Sequence, residues 1–328
     1  MTSLLRVENV YKYFPISFSI FRKAKHFVRA VDGVTFEVNR GERFCIVGES
    51  GSGKTTLARI IAGLIKPDSG EIYIEGTAYS YLYKTRPKEI YKRVQIIFQD
   101  PYSALNPRKR IRYILERPFK IHKIPYTDDD LKYLLELVGL TPPEEFLEKL
   151  PSQLSGGQRQ RILIARALAL RPEIIVADEP VSMLDVSTKV HILELLNDLR
   201  KKFNITYIMI THEMGVAYYF CDRIAVMYLG KIMELGSLKD IFYNPLHPYT
   251  QLLLASTLPS DMSAPNILSK LEDVGEPPSP ASPPKGCRFS SRCKWATDKC
   301  FKLEPKLVEI EPGHYVACPV RTKGGWIE

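Results

Sequence analysis

The run Gly48-Glu49-Ser50-Gly51-Ser52-Gly53-Lys54-Thr55 constrains this chain more than any other stretch of comparable length. It fits G-x-x-x-x-G-K-[ST], and its flanks are the ones such a loop requires. Before it, Phe44 to Val47 is a short apolar run of strand type. After it, Thr55 to Ile65 repeats apolar residues at helical spacing and stops at Lys66-Pro67-Asp68-Ser69-Gly70. Gly48, Gly51 and Gly53 lack β-carbons, so the backbone N–H groups here and at Ser50 and Ser52 can close around phosphate oxygens. Lys54 adds a point charge for the outer phosphates, the Thr55 hydroxyl is a ligand for Mg²⁺, and Thr56 continues the helix start beside them. A strand, a loop and a helix in this order commit the chain to an α/β fold.

Two more segments extend that fold. Ile174 to Ala177 and Thr206 to Ile210 are continuous apolar runs bounded by polar residues, the pattern of strands buried on both faces of a parallel sheet. The first ends in Asp178-Glu179, which puts two carboxylates at the carboxyl end of a buried strand, beside a phosphate loop in folds of this kind. Asp178 suits the Mg²⁺ shell and leaves Glu179 to polarise an attacking water. Leu4 to Val10 and Val28 to Val38 alternate in the β manner, with Val34, Phe36 and Val38 on one face, and Asn39 to Glu42 makes a turn. From Tyr102 to Leu150 the pattern is helical: Leu131, Leu134, Leu135 and Val138 form a stripe behind the N-terminal cap of Thr127 to Asp130. No repeat of solenoid period is visible, so the phosphate-binding unit occurs once.

Composition narrows the setting. The chain has 328 residues, 45% hydrophobic and 25% charged, enough for one large core and an appendage. No stretch approaches the roughly 18 uninterrupted apolar residues of a membrane span, and Met1 to Val10 lacks a signal-peptide layout, so a cytosolic chain is expected. The formal net charge is +9, and Lys84 to Lys123 holds twelve Lys/Arg against Glu89, Asp100 and Glu116. That surplus reads first as a solvated face, second as attraction to anionic lipid or an acidic partner, and third as nucleic-acid binding. Six cysteines in such a chain argue against a disulfide framework. Cys45 and Cys221, in apolar neighbourhoods, read as core fillers.

Between the two phosphate-site motifs lies Leu154-Ser155-Gly156-Gly157-Gln158, followed by a strongly helical Arg159 to Ala169. Ser155, Gly156, Gly157 and Gln158 place N–H groups and a hydroxyl at a helix N-terminus, which is an anion site. A plain capped helix is the alternative. One nucleotide does not need two such helix starts from one chain, whereas a dimer explains both.

Together these residues resemble the ATP-binding cassette (ABC) family over about Leu4 to Gly236. The resemblance implies a P-loop NTPase with a RecA-like core, an antiparallel β subdomain and a helical subdomain at about 100–166. It also implies two ATP molecules sandwiched between the phosphate loop of one chain and the Ser155–Gln158 loop of the other. By the same resemblance, Gln99 senses Mg²⁺ and the attacking water, and His212 contacts the γ-phosphate. Asp185 reaches across the dimer within Ser182-Met183-Leu184-Asp185, where Met183 replaces the usual alanine. Phe14, with Tyr13 as alternative, stacks on adenine. Catalysis would rest on Glu179, His212, Gln99 and Lys54.

Asn244-Pro245-Leu246-His247-Pro248-Tyr249-Thr250-Gln251 resembles a segment of oligopeptide and dipeptide importer ATPases. Residues 237–328 then form an extension, with a proline-rich linker at 275–286 and four cysteines, Cys287, Cys293, Cys300 and Cys318. Four thiolates suit Zn²⁺ or a [4Fe–4S] cluster, and gaps wider and less regular than C-x₂-C favour the cluster. The resemblance implies a second ATPase subunit of related sequence, two transmembrane permeases and an extracytoplasmic solute-binding protein, with this chain peripheral on the cytoplasmic side of the membrane and no nucleic-acid partner. Peptides are the expected cargo; oligosaccharides, nickel complexes and a non-transport ABC ATPase stay open.

Overall fold

The computed structural model describes residues 3–16, 27–257 and 275–318. Its first strands, β1 (Leu5–Pro15) and β2 (Phe27–Val38), pair antiparallel, and β3 (Arg43–Val47) leads into the phosphate loop. Then follow β4 (Ser69–Ile74), β5 (Thr77–Ala78), β6 (Val94–Ile97), β7 (Ile174–Asp178), β8 (Thr206–Thr211), β9 (Arg223–Tyr228), β10 (Lys231–Ser237), β11 (Val308–Glu311) and β12 (His314–Val316). One sheet is antiparallel in the order β2-β1-β4-β5; the other runs β11-β12-β10-β9-β3-β8-β7-β6 and is parallel from β9 to β6.

Alternation along the parallel strands explains why their sequences are apolar throughout. Phe44, Ile46, Val176, Ile208 and Met227 face the helix Lys54–Ile61 and the antiparallel sheet. Cys45, Val47, Ile175, Ala177 and Met209 face the opposite layer, built by the helices Gly156–Leu168, Val186–Phe203 and Met214–Phe220. With both faces covered, the middles of these strands are apolar, and polar residues such as Arg43, Asp178, Thr206, Thr211 and Arg223 stand at their ends. The register aligns the carboxyl ends, with Val47 opposite Thr211 and Asp178 opposite Ile210, so the loops after β3, β7 and β8 emerge at one edge.

The helix after the phosphate loop ends at Ile61, earlier than its apolar spacing suggests. Gly63 takes φ +75°, its N–H donates to the Ile60 carbonyl at 3.0 Å, and the Leu64 N–H donates to Arg59 at 2.8 Å, a Schellman closure. The helical insert comprises Pro101–Ala104, Ile111–His122, Asp128–Leu137 and Pro143–Glu148. Thr127 and Asp130 form a reciprocal capping box at the expected start, and Leu131, Leu134, Leu135 and Val138 are buried. In the basic run, Arg93 pairs with Glu173, Arg112 with Asp128 and Lys120 with Glu116, so part of that charge is spent on surface pairs.

Cys45 and Cys221 are buried in the core, as their apolar neighbourhoods suggest, with their sulfurs set against each other. β3 and the residue following the helix Met214–Phe220 bring them together, a contact that 176 residues of separation hid from the sequence. Past the helices Leu238–Tyr243 and Pro248–Thr257, residues 275–286 carry neither helix nor strand. The chain beyond is no detached appendage: β12 pairs with β10, and β11 with β12, extending the main sheet. Part of the expected extension, residues 258–274 and 319–328 with Pro319, lies outside the described residues. Among the described residues no helix is long and apolar enough to cross a membrane.

Candidate functional site

At the edge where β3, β7 and β8 end, a cavity of about 710 Å³ is lined by the phosphate loop, Thr55, Thr56, Gln99, Glu179, His212 and Phe14. The loop's glycines are forced. Gly53 sits at φ +103°, where a β-carbon would lie 1.9 Å from the Ala30 carbonyl oxygen, and at Gly48, φ +154°, it would lie 2.1 Å from that of Met227. Lys54, buried at the first position of its helix, donates to the Gly48 and Glu49 carbonyls at 2.7 and 2.8 Å. Burial pulls its ammonium down to about 8, against the opposing pull of Glu179, Asp178 and Glu49. It stays mostly charged at neutral pH.

Thr55 Oγ1 donates to Asp178 Oδ1 at 3.2 Å. Burial raises the Asp178 pKa, with Glu179 adding to the rise and the Thr55 hydroxyl opposing it. A carboxylate so placed favours a cation beside it, and this hydroxyl and carboxylate are the hard oxygen donors that Mg²⁺ takes. Glu179 adopts φ +47°, a left-handed conformation that costs a non-glycine residue roughly 1–3 kcal/mol and turns its carboxylate into the cavity. Gln99 Nε2 donates to one oxygen at 2.8 Å, and His212 Nδ1 lies 2.9 Å from the other. Of the two adenine candidates Phe14 lines the cavity, whereas the Tyr13 hydroxyl donates to Asp32.

Other predicted residues stand elsewhere. Ser155 caps the helix Gly156–Leu168, its hydroxyl accepting from the Gln158 N–H at 3.3 Å while Gln158 Oε1 accepts from the Ser155 N–H at 3.0 Å. Gly156 packs near Tyr102 and Leu184, and a β-carbon on Gly157 would approach Thr188 to 2.8 Å. None of these residues lines the cavity. Asp185 caps the helix Val186–Phe203: the Thr188 N–H and the hydroxyls of Thr188 and Ser187 hold its carboxyl well below the usual range.

Among the tail cysteines, Cys287 and Cys300 are joined through their backbones, the Cys287 N–H donating to the Cys300 carbonyl at 2.8 Å. Burial pushes the Cys287 thiol up to about 12, with Cys318, Cys300 and Cys293 contributing to the rise against an N–H bond from Phe289. Even so, among the described residues no group of three or more His, Cys, Asp or Glu is arranged to hold a metal ion, so the expected [4Fe–4S] or Zn²⁺ site finds no support in the geometry.

Several contributors escaped the sequence. Leu253 and Ser256, from the helix Pro248–Thr257 that begins within the Asn244–Gln251 segment, line the cavity, as do Val28 and Ala30. That segment is a buried corner: Glu234 accepts the Leu246 and His247 N–H groups at 2.8 Å, and His247 Nδ1 accepts from Tyr249 at 3.0 Å. Burial drops His247 to about 3, so it is neutral. The Tyr249 hydroxyl accepts the Glu49 N–H at 2.8 Å, and Arg292 pairs with the Glu49 side chain. No motif pattern contains these links.

The chain resembles known proteins over nearly its whole length. The ABC transporter family matches residues 31–182, and the family of the oligopeptide/dipeptide transporter C-terminal region matches residues 233–300. The oligopeptide transport ATP-binding protein AppF of Bacillus subtilis is 44% identical over 321 residues, 96% of this chain and 97% of that protein. This chain is an ABC-transporter ATPase of the oligopeptide/dipeptide branch. The dipeptide transport ATP-binding protein DppF of Haemophilus influenzae is 42% identical over 97% of this chain and 96% of its own length. Among solved structures, the dimeric post-hydrolysis state of the ATP-binding cassette MJ0796 bound to ADP and Pi matches this ABC ATPase with a TM-score of 0.62 at 31% identity. It covers 71% of this chain and 98% of the other. CbiO1 of Clostridium perfringens, described as part of an ABC transporter complex, matches with a TM-score of 0.62 at 25% identity over 82% of this chain and 98% of its own.

Proposed function

We propose that this ABC ATPase energises the import of oligopeptides or dipeptides as one half of an ATPase pair, docked on the cytoplasmic side of two permease subunits supplied by a solute-binding protein. The observation that carries the chemistry is the convergence of Lys54, Thr55, Gln99, Glu179 and His212 on one cavity. In this reading the phosphate-loop N–H groups and Lys54 bind the triphosphate, and Phe14 stacks on the base. Mg²⁺, held by Thr55 and Asp178 with Gln99 beside it, would neutralise charge on the outer phosphates. Glu179, aimed by Gln99 and His212, takes the proton of the attacking water, and His212 would turn its single N–H from Glu179 to the γ-phosphate once nucleotide is bound. The Ser155–Gln158 helix start lies away from this cavity, which supports its serving the partner's nucleotide, with Asp185 near the same face.

A partner of related sequence rather than a second copy is the composition we favour, on the branch assignment. Four cysteines in one short tail favour a [4Fe–4S] cluster or Zn²⁺ there, the lack of a metal-competent arrangement among the described residues opposes it, and no step of the chemistry depends on it. Affinity capture of Glu179→Gln with Mg-ATP from native membranes, with mass spectrometry and iron, sulfide and zinc analysis of the same sample, tests the assignments together. Recovery of two permeases, a sister ATPase and a peptide-binding protein supports the reading. Recovery of cytosolic enzymes or nucleic-acid factors alone overturns transport and leaves the ATPase standing.

A further inference from the structure

We propose that Arg292 and Tyr249 are positioning residues for the phosphate loop, so that the C-terminal region sets the affinity of this ATPase for nucleotide; the proposal rests on the ATP-site reading above. Glu49, the residue after Gly48, is gripped twice from the C-terminal side. Arg292 reaches its carboxylate with both terminal nitrogens, at 2.9 and 3.1 Å, and Tyr249 accepts its backbone N–H at 2.8 Å.

Both grips are rigidly built. The Arg292 side chain is 9% exposed, lies over the rings of Tyr228 and Phe289 at 5.7 and 5.5 Å, and donates to the Tyr228 hydroxyl at 3.2 Å. Tyr249 is fully buried against the same two rings, with centroids 4.5 and 5.4 Å away. A planar guanidinium fixed on aromatic faces and paired bidentately holds its partner in one orientation.

The loop needs such a hold for two reasons. Gly48, Gly51 and Gly53 leave its backbone free to adopt many conformations, whereas phosphate recognition needs its N–H groups already convergent. The Glu49 carboxylate also sits in the wall of a cavity that must accept a polyanion, and the buried Arg292 guanidinium offsets that charge. A second strut leaves the same short segment. Arg288, buried, pairs with Asp32, which accepts the hydroxyl of Tyr13 next to Phe14. One stretch of seven residues, 287 to 293, thus braces both the phosphate wall and the adenine wall.

The test is calorimetric titration of MgATP into full-length wild type, Arg292→Ala, Arg292→Ala/Glu49→Gln and Tyr249→Phe, with kcat and KM for ATP hydrolysis and thermal melts of each. Arg292→Ala is expected to weaken binding and raise KM about tenfold with kcat within about twofold. The second substitution should restore affinity to within about threefold, since it deletes the carboxylate left unpaired. Unchanged affinity in folded Arg292→Ala, or affinity restored fully to wild type by Glu49→Gln, which would make the unpaired charge and not the lost hold the cause, overturns the proposal. Should Arg292→Ala fail to fold, Tyr249→Phe decides, because it keeps the ring packing: a rise in KM of about threefold supports positioning and an unchanged KM refutes it. A wild type that binds no MgATP refutes the ATP-site reading itself.

Discussion

Glu179→Gln changes almost no volume and removes one proton acceptor, which makes it the sharpest probe of the chemistry. Two donors now aim at the carboxylate, Gln99 Nε2 at 2.8 Å and His212 Nδ1 at 2.9 Å, one on each oxygen. An amide can satisfy only one of them as an acceptor and turns its own NH₂ against the other. General-base assistance contributes roughly 10²–10⁴-fold, or about 3–5 kcal/mol of barrier, so kcat should fall below about 1% of wild type. Binding should move the other way. The Glu179 carboxylate lines the cavity, and in the proposed binding mode its removal relieves repulsion with the γ-phosphate. It is also the leading carboxylate influence holding Lys54 protonated against burial, a role the bound triphosphate itself takes over. MgATP should therefore bind the variant at least as tightly as wild type. Steady-state phosphate release, paired with calorimetric MgATP binding, checks both halves. Hydrolysis above about 10% of wild type would exclude Glu179 as the base. Lost hydrolysis with binding weakened more than about tenfold would show that the carboxylate builds the site rather than acting in the reaction.

Two further perturbations probe the scaffold. Gly53→Ala puts a β-carbon 1.9 Å from the Ala30 carbonyl at φ +103°, a backbone-to-backbone clash that no side chain can relieve; we expect MgATP binding at least about tenfold weaker by calorimetry, and unaltered binding would mean the loop relaxes freely. His314, buried with Nε2 2.8 Å from Glu234, is pulled down by burial but raised on balance above 6.5 by that carboxylate. Its contribution to stability is fully present below the unfolded value and is lost as pH rises through the folded one. The melting-temperature gap between wild type and His314→Gln should narrow from about pH 6 to about pH 9, and a widening gap would refute the assignment.

What the sequence made legible and what it hid follow from how far each interaction reaches along the chain. The phosphate loop, the Asp178-Glu179 pair and the helical cap at Thr127 are local patterns, each dictated by a few neighbouring residues, and local patterns survive in a linear text. The parallel strands were legible because burial on both faces removes polar residues from the run. The helix end at Gly63 was missed although its cause is local, because Leu64 and Ile65 continue the apolar spacing past a glycine that closes the backbone. The contacts joining the C-terminal region to the site have no local trace at all. Arg292 and Glu49 stand 243 residues apart, Arg288 and Asp32 256, Tyr249 and Glu49 200. An arginine between cysteines and a tyrosine after a proline carry no spacing rule that points to a glycine loop.

The cysteines pose the converse case. The four cysteines are close in sequence, and their clustering invited a metal, yet nearness along the chain fixes neither the distances nor the directions that coordination needs. The segment that carries them lies against the ATP site instead: Arg288 follows Cys287 directly and Arg292 precedes Cys293, so the residues that fold the cysteine turn also deliver the two guanidiniums. The fold of the tail and the shape of the nucleotide cavity are thus one packing problem, and a change that loosens Cys287 to Cys293 should register first as weaker ATP binding rather than as slower hydrolysis.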